Sequence, residues 1–217
     1  IPDNFTGTLV YFCTNHLGMT QTFQIPQPIH GDLRFPKFKD IYNNNKKSNI
    51  KIANKEKILC AKYRNGHFEG VLDVMERLTN LVNPKKIFMG KKDYQQYFLI
   101  KNYLKNKCKA SIIPCKTIRN KSKIVLSSRN NHLDLNGIKK ASLLTKSLIK
   151  LKRNLTSSKK IKQNLRIQMK YFEKFLKIKI EYLELRSIKN LKISNTVKGS
   201  RLFVAYYIDN IRLIDNF

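Results

Sequence analysis

The sequence predicts an α/β protein with a parallel sheet covered on both faces, followed by a second, smaller α+β domain. Three features carry that prediction. From Ile50 to Pro114 the apolar spacing runs strand, helix, strand, helix, strand. After Arg119 the order changes to two long helical patterns and then three strand patterns. Between them lies a polar run, Asn120-Lys-Ser-Lys123. Alternating helices and strands form parallel sheets buried on both faces, whereas runs of helices followed by runs of strands form α+β layers.

Taken in order, Leu9-Val-Tyr-Phe-Cys13 reads as a short strand. Gln24-Ile-Pro-Gln-Pro-Ile29 reads as extended chain, because Pro26 and Pro28 forbid helix. Asn43 to Asn49 is a polar loop, and Ile50-Lys-Ile52 begins a short strand. Val71, Val74, Met75, Leu78, Leu81 and Val82 recur at spacings of three and four from Gly70, a helix that Pro84 ends. Lys86-Ile-Phe-Met89 is an apolar strand. A helix follows from Asp93 to about Lys105 with Tyr97, Ile100 and Leu104 inward, and then a strand, Ala110-Ser-Ile-Ile-Pro114. In the second part Asp134 caps a helix from about Asn136 to Lys152, with Ile138, Leu143, Leu144, Leu148 and Leu151 inward. Ser157 or Ser158 caps the next helix, which ends near Leu176. Strands follow at Lys179–Leu185, Leu202–Tyr207 and Ile211–Ile214. No internal repeat is present.

Composition narrows the function. The 217 residues suffice for a sizeable core, and 41% hydrophobic content is ordinary for a globular protein. No apolar run approaches the ~20 residues of a membrane span. No basic stretch followed by an apolar core marks a leader. The first residue is Ile, so the sequence reads as a fragment or a processed product. The net charge of +30 invites a polyanion partner. Yet the lysines spread from Lys37 to Lys198 among abundant Asn and Ile, the pattern an AT-rich coding sequence produces. Solvated lysine faces are the simpler reading. Cys13, Cys60, Cys108 and Cys115 form no CxxC pair and have no His at ligand spacing, so free thiols in a reducing cytoplasm are expected and no metal site.

Two segments offer chemistry. Phe88-Met-Gly-Lys-Lys-Asp-Tyr-Gln-Gln96 joins a buried strand to a helix. Ligands bind at the carboxyl ends of parallel strands, a Gly there allows close approach, and a helix start offers backbone amides to phosphate. Asp93 either caps the helix, accepts from a ribose hydroxyl, or holds a metal through water. Lys92 either neutralises phosphate or is simply solvated. Leu126-Ser-Ser-Arg-Asn130 supplies two hydroxyls and the planar fork of Arg129, which bonds phosphate in a bidentate way that Lys cannot. In isolation the same words make a capped turn. His67 either orders its loop, lines a pocket or serves as a base.

The wording and order of Arg64-Asn-Gly-His-Phe-Glu-Gly-Val71, Asn80-Leu-Val-Asn-Pro84, Gly90-Lys-Lys-Asp-Tyr-Gln-Gln96, Leu126-Ser-Ser-Arg-Asn130 and Arg212-Leu-Ile-Asp-Asn216 resemble the pantoate–beta-alanine ligase (pantothenate synthetase) family. Phe35-Pro-Lys-Phe-Lys-Asp-Ile-Tyr42 looks like the loop before its His-Phe-x-Gly helix. The resemblance runs from about residue 31 to the C-terminus. It implies a Rossmann-like, nucleotidyltransferase-type domain at 31–118, incomplete at its N-terminal side. A C-terminal lid follows at 119–217, closing about 119–123, with an unassigned segment at 1–30.

The implied activity is an ATP-dependent ligase condensing pantoate with beta-alanine through a pantoyl-adenylate, releasing AMP and pyrophosphate. ATP and Mg²⁺ are the implied cofactors, a cytoplasmic homodimer the implied form, with no membrane or nucleic-acid partner. By the same resemblance Gly90, Lys91, Lys92, Asp93, Ile118, Leu126, Ser127, Ser128 and Arg129 contact ATP. Lys92, Ser127, Ser128 and Arg129 act in catalysis, and Gln96, Val74 and Met75 contact pantoate. Two departures stand out. Lys91 replaces a usually acidic residue. The family's Met-Gly-x-x-His-x-Gly-His turn, and the Gln that follows it, are missing: in Asn15-His-Leu-Gly-Met19, Met19 stands where His16 would need a second His. One expectation is therefore a truncated, inactive form. The alternative is a basic RNA-binding module on a degenerate nucleotidyltransferase scaffold.

Overall fold

The computed structural model describes residues 41–42 and 49–217. The expectations for Leu9–Cys13, Gln24–Ile29, His16, Cys13 and residues 35–40 lie outside that range. The chain divides into two compact units. The first holds the described residues from 49 to Met89 together with Gln96–Cys115, and the second holds Gly90–Gln95 together with Lys116–Phe217.

In the first unit, helix α1 (His67–Val82) buries Phe68, Val71, Leu72, Met75 and Leu78. It begins three residues before the position that apolar spacing marked. Gly66 holds φ +75°, a left-handed turn that glycine adopts without strain, and Gly70 N–H already bonds the Gly66 carbonyl at 3.0 Å. The helix closes on Asn83, left-handed at φ 47°, whose N–H returns to the Thr79 carbonyl; Pro84 then forbids continuation. Strands β1 (Lys86–Gly90) and β2 (Ser111–Cys115) form a parallel pair joined through helix α2 (Tyr94–Leu104). Within α2, Tyr97, Leu99, Ile100 and Leu104 are buried, Ile100 completely. The expected strand at Ile50–Ile52 is not one. Ile52 is buried, but among the described residues the only sheet of this unit pairs β1 with β2, so the segment has no ladder to join.

The second unit stacks two helices on an antiparallel sheet. Helix α3 (Leu135–Asn154) starts on Asp134, whose Oδ1 accepts from Gly137 N–H at 2.6 Å. Ala141, Leu144, Thr145 and Leu148 form its buried stripe. Leu143, expected inward, is 49% exposed, because it lies one residue off that i, i+3, i+4, i+7 row. Helix α4 (Ile161–Leu176) buries Ile161, Leu165, Phe172 and Leu176. Neither serine caps it. Ser157 Oγ accepts from Val197 N–H, and Ser158 Oγ accepts from Lys160 N–H two residues ahead of the N-cap, which falls on Lys160 without a side-chain bond.

Strands β3 (Lys179–Ser187), β4 (Ser200–Ile208) and β5 (Ile211–Asn216) lie in the order β3-β4-β5. The register sets Leu183 opposite Val204 and Ala205 opposite Ile214. Leu185, Leu202, Val204 and Ile208 meet Leu144, Leu148, Ile161, Leu165 and Phe172 in one core. Each such side chain contributes roughly 1.5–3 kcal/mol by leaving water.

Residues 119–123 do not form a loose connection. They sit in a hairpin of this unit, with an Arg119–Val125 bridge, Asn120 N–H on the Ile124 carbonyl at 2.9 Å and Leu126 N–H on the Ile118 carbonyl at 3.1 Å. Among the described residues no helix is long and apolar enough to cross a membrane.

Candidate phosphate-binding site

Strand β5 runs two residues beyond the apolar segment that the sequence marked, and that extension organises the site. Its ladder reaches Asn216, which faces Phe203. Three of its residues carry the polar framework. Arg212 pairs with Glu181 of β3, its terminal nitrogen 2.5 Å from Oε2, and Tyr207 adds its hydroxyl to Glu181 Oε1 at 3.1 Å. Asp215 accepts both terminal nitrogens of Arg119, at 2.6 and 2.8 Å. Burial pushes the Asp215 carboxyl above its ordinary value, while Arg119, the Asn216 N–H and the charge of Lys92 pull the other way. Asn216, 2% exposed, donates through Nδ2 to the Lys91 carbonyl at 3.0 Å and the Lys92 carbonyl at 2.7 Å, and accepts from Arg201 Nε at 2.6 Å.

The Lys91–Asp93 segment is a single 3-10 turn leading into α2, and it belongs with the second unit rather than with the strand that precedes it. Gly90 is exposed, and a Cβ added there would meet nothing within 4 Å. Lys92 Nζ lies 3.6 Å from Asp93 Oδ1, with side-chain exposures of 18% and 34%. Beneath the turn, Arg201 stacks on the Tyr94 ring at 5.2 Å, and Tyr94 meets Phe203 edge to face. Burial lowers the pKa of Arg201, Tyr94 and Asp215 act the other way, and its hydrogen-bond partner Asn216 is neutral.

The second segment is another short 3-10 turn, Ser128–His132, with Ser127 at its N-cap accepting from Arg129 N–H at 3.3 Å. Arg129 donates to the Arg212 carbonyl at 2.8 Å, an uncharged partner that fixes one nitrogen, and among the described residues no carboxylate pairs with its guanidinium. Asn130 Nδ2 anchors the turn to the Val125 carbonyl at 2.8 Å. Leu126 and Ile118 flank it, 54% and 61% exposed, with the Ile118 carbonyl committed to the hairpin.

Every candidate ATP residue (Gly90, Lys91, Lys92, Asp93, Ile118, Leu126, Ser127, Ser128 and Arg129) therefore falls in one unit. The sequence reading assigned the lysine turn and the arginine turn to separate domains. The pantoate candidates, half-buried Val74, buried Met75 and partly buried Gln96, fall in the other unit. His67 sits 2.7 Å from an Arg64 nitrogen and against Phe68, at the start of α1.

Around β5 the cations Lys91, Lys92, Arg119, Arg129, Arg201 and Arg212 face the carboxylates Asp93, Glu181 and Asp215. That surplus suits a polyphosphate, and Arg129 offers the fork that phosphate oxygens match. Among the described residues no group of three or more His, Cys, Asp or Glu is placed to hold a metal, and Cys60, Cys108 and Cys115 are free thiols. Sequence reasoning missed Arg119, Arg201, Asp215 and Asn216. Only the ending Arg212-Leu-Ile-Asp-Asn216 hinted at them, as wording without a role.

Comparison with known proteins gives a consistent result. The family model described as pantoate-beta-alanine ligase matches residues 30–217. A pantothenate synthetase of Sulfurihydrogenibium sp. is 34% identical over 188 residues, covering 84% of this chain and 66% of the relative. One from Leptospira interrogans is 40% identical over 172 residues, covering 77% and 60%. The chain thus spans somewhat less than two thirds of the length of these curated relatives. The solved pantoate-beta-alanine ligase of Francisella tularensis, complexed with beta-gamma ATP and beta-alanine, superposes with a TM-score of 0.65 at 34% identity, covering 82% of this chain and 61% of its own.

Proposed function

Because the chain belongs to the pantoate-beta-alanine ligase family, we propose that it takes part in ATP-dependent condensation of pantoate with beta-alanine, through a pantoyl-adenylate. The observation that carries this reading is the pair of turns held by β5, Lys91–Asp93 by Asn216 and Ser128–His132 by the Arg212 carbonyl. In the first half-reaction a pantoate carboxylate oxygen bonds to the α-phosphorus, and the bond from that phosphorus to the β-bridging oxygen breaks, releasing pyrophosphate. In the second, the beta-alanine amine attacks the acyl carbon, AMP departs with the bonding pair, and the amine loses a proton.

Negative charge grows on the pyrophosphate oxygens as the first bond breaks. Lys92 and Arg129 meet that charge with groups already oriented, and removing one such donor commonly costs about 3 kcal/mol of barrier. Ser127 and Ser128 add hydroxyls, and open Gly90 admits the phosphate chain. Ile118 and Leu126 border the adenine. Gln96, Val74 and Met75 hold pantoate, and alignment of the two substrates supplies much of the rate. A Mg²⁺ ion fits this donor set only as a companion of the phosphates: Asp93 is the one carboxylate of the lysine turn, enough to hold a metal's water. When bound, the ion neutralises phosphate charge. Residues 119–217 act as a lid, the working form is a homodimer, and the reaction belongs in the cytoplasm.

Labelled pyrophosphate should exchange into ATP only when pantoate is present, and adding beta-alanine should release AMP and pantothenate in equal amounts. Exchange with an unrelated acid, and none with pantoate, would reject the assignment.

A further inference from the structure

We propose that Asn216 is a positioning residue for the lysine turn, setting where Lys92 and the turn amides meet the triphosphate; the inference rests on the ligase reading above. A 3-10 turn of three residues makes few bonds of its own, so its geometry must be imposed from outside. Asn216 imposes it. Two successive carbonyls, those of Lys91 and Lys92, accept from one Nδ2, and the opposite end of the amide accepts from Arg201 Nε.

Only a carboxamide offers two donors and an acceptor in one plane at this length. An aspartate would set an oxygen against two carbonyl oxygens, and an aliphatic side chain would leave both carbonyls and the part-buried Arg201 nitrogen unmet. The anchor is itself fixed twice. Asn216 pairs in register with Phe203 on β4, and its neighbour Asp215 is held by Arg119. The lysine turn therefore takes its position from the sheet.

Residue 216 lies on the strand that also holds Arg129, through the Arg212 carbonyl. The backbone from 212 to 216 thus fixes the spacing between the two cations that would flank the phosphates. Misplacement of a reacting group by about 1 Å costs on the order of 100-fold in rate.

The test compares Asn216→Asp, Asn216→Ser and Leu148→Val in pantoate-dependent pyrophosphate exchange, with thermal midpoints measured alongside. Leu148 lies in the helix-sheet core and is absent from the site. Asn216→Asp should raise the KM for ATP or lower kcat by roughly 10- to 100-fold, with the KM for pantoate unchanged within error. Asn216→Ser, short but still a donor, should fall between it and wild type. Leu148→Val should lower the midpoint and leave both constants alone. In a Lys92→Ala background the Asn216→Asp penalty should largely disappear, since the two act through one turn.

An Asn216→Asp protein that loses stability as Leu148→Val does but keeps its ATP constants overturns the inference. So does a penalty of full size in the Lys92→Ala background. If Asn216→Asp does not fold, Asn216→Ser answers the same questions. Wild-type protein without pantoate-dependent exchange sinks the ligase reading instead, so the two failures are distinguishable.

Discussion

Arg119 grips both carboxylate oxygens of Asp215, at 2.6 and 2.8 Å, and so ties the hairpin at 118–126 to strand β5. The guanidinium also covers the Phe217 ring at 4.7 Å, and Asp215 is only 4% exposed. Breaking such a pair from one side leaves a buried charge unmatched, which typically costs about 3–5 kcal/mol. Arg119→Met should therefore lower the urea midpoint substantially. The sign with pH follows from Asp215, whose folded pKa is raised above its ordinary value by burial despite Arg119. A group raised in this way contributes stability below its unfolded pKa and loses it as pH rises through the folded one. Without Arg119 that rise is larger. The deficit of Arg119→Met relative to wild type should be greatest near neutral pH and shrink as pH falls toward the ordinary carboxylate range. Urea titrations at neutral and mildly acidic pH check this; a deficit independent of pH would contradict it.

Arg129→Lys keeps the charge but loses both the fork and the bond to the Arg212 carbonyl. Steady-state exchange should show kcat/KM for ATP falling by about two orders of magnitude, on the scale of one lost transition-state donor. The thermal midpoint should hold within about 2 °C, because a half-exposed turn residue adds little to the core.

The start of α3 offers a paired prediction on stability. Asp134→Ala removes the cap on Gly137 N–H and should cost about 1 kcal/mol. Gly137→Ala would ordinarily stabilise a helix by up to about 1 kcal/mol. Here the new Cβ would meet Asp134 Oδ1 at 3.1 Å and the Ile208 and Leu133 methyls at 3.2 Å, so the substitution should lower the thermal midpoint instead.

Leu144 lies at 0% exposure between α3 and the sheet. Leu144→Ala should cost about 2–5 kcal/mol, through lost transfer energy and the cavity left behind. Leu143→Ala, one residue away and 49% exposed, should cost well under half of that. Chemical denaturation of the two variants measures the contrast.

Much of this was legible in the sequence, for identifiable reasons. Period-3.6 spacing located α1, α2 and α3, and Asp134 announced its own helix. The strands of the second unit stood out because β-branched and aromatic residues alternate there. What failed was register and partnership. Leu143 looked as apolar as Leu144, and only packing against the sheet distinguishes them. Ser157 and Ser158 are good caps by type, but tertiary bonds to Val197 and a local turn claimed their hydroxyls first. Ile50–Ile52 had strand composition without a ladder partner. Among the candidate site residues, Lys92, Asp93, Ser127 and Arg129 could be named in advance because the wording around them is distinctive. Asn216, Arg201 and the Arg119–Asp215 pair were not, because long-range partners leave no local pattern. Grouping of the lysine turn with the arginine turn was likewise invisible, since residues 90–95 follow a strand of one unit yet pack in the other.

The central claim is that Lys92 and Arg129 act on the same triphosphate. Calorimetric titration of ATP into wild type, Lys92→Ala, Arg129→Ala and the double variant tests it most directly. Each single substitution should weaken binding by about tenfold or more. The double variant should lose measurably less than the product of the two, with a coupling of at least about 0.5 kcal/mol. Strictly multiplicative losses, or one variant binding ATP as wild type does, would contradict the account.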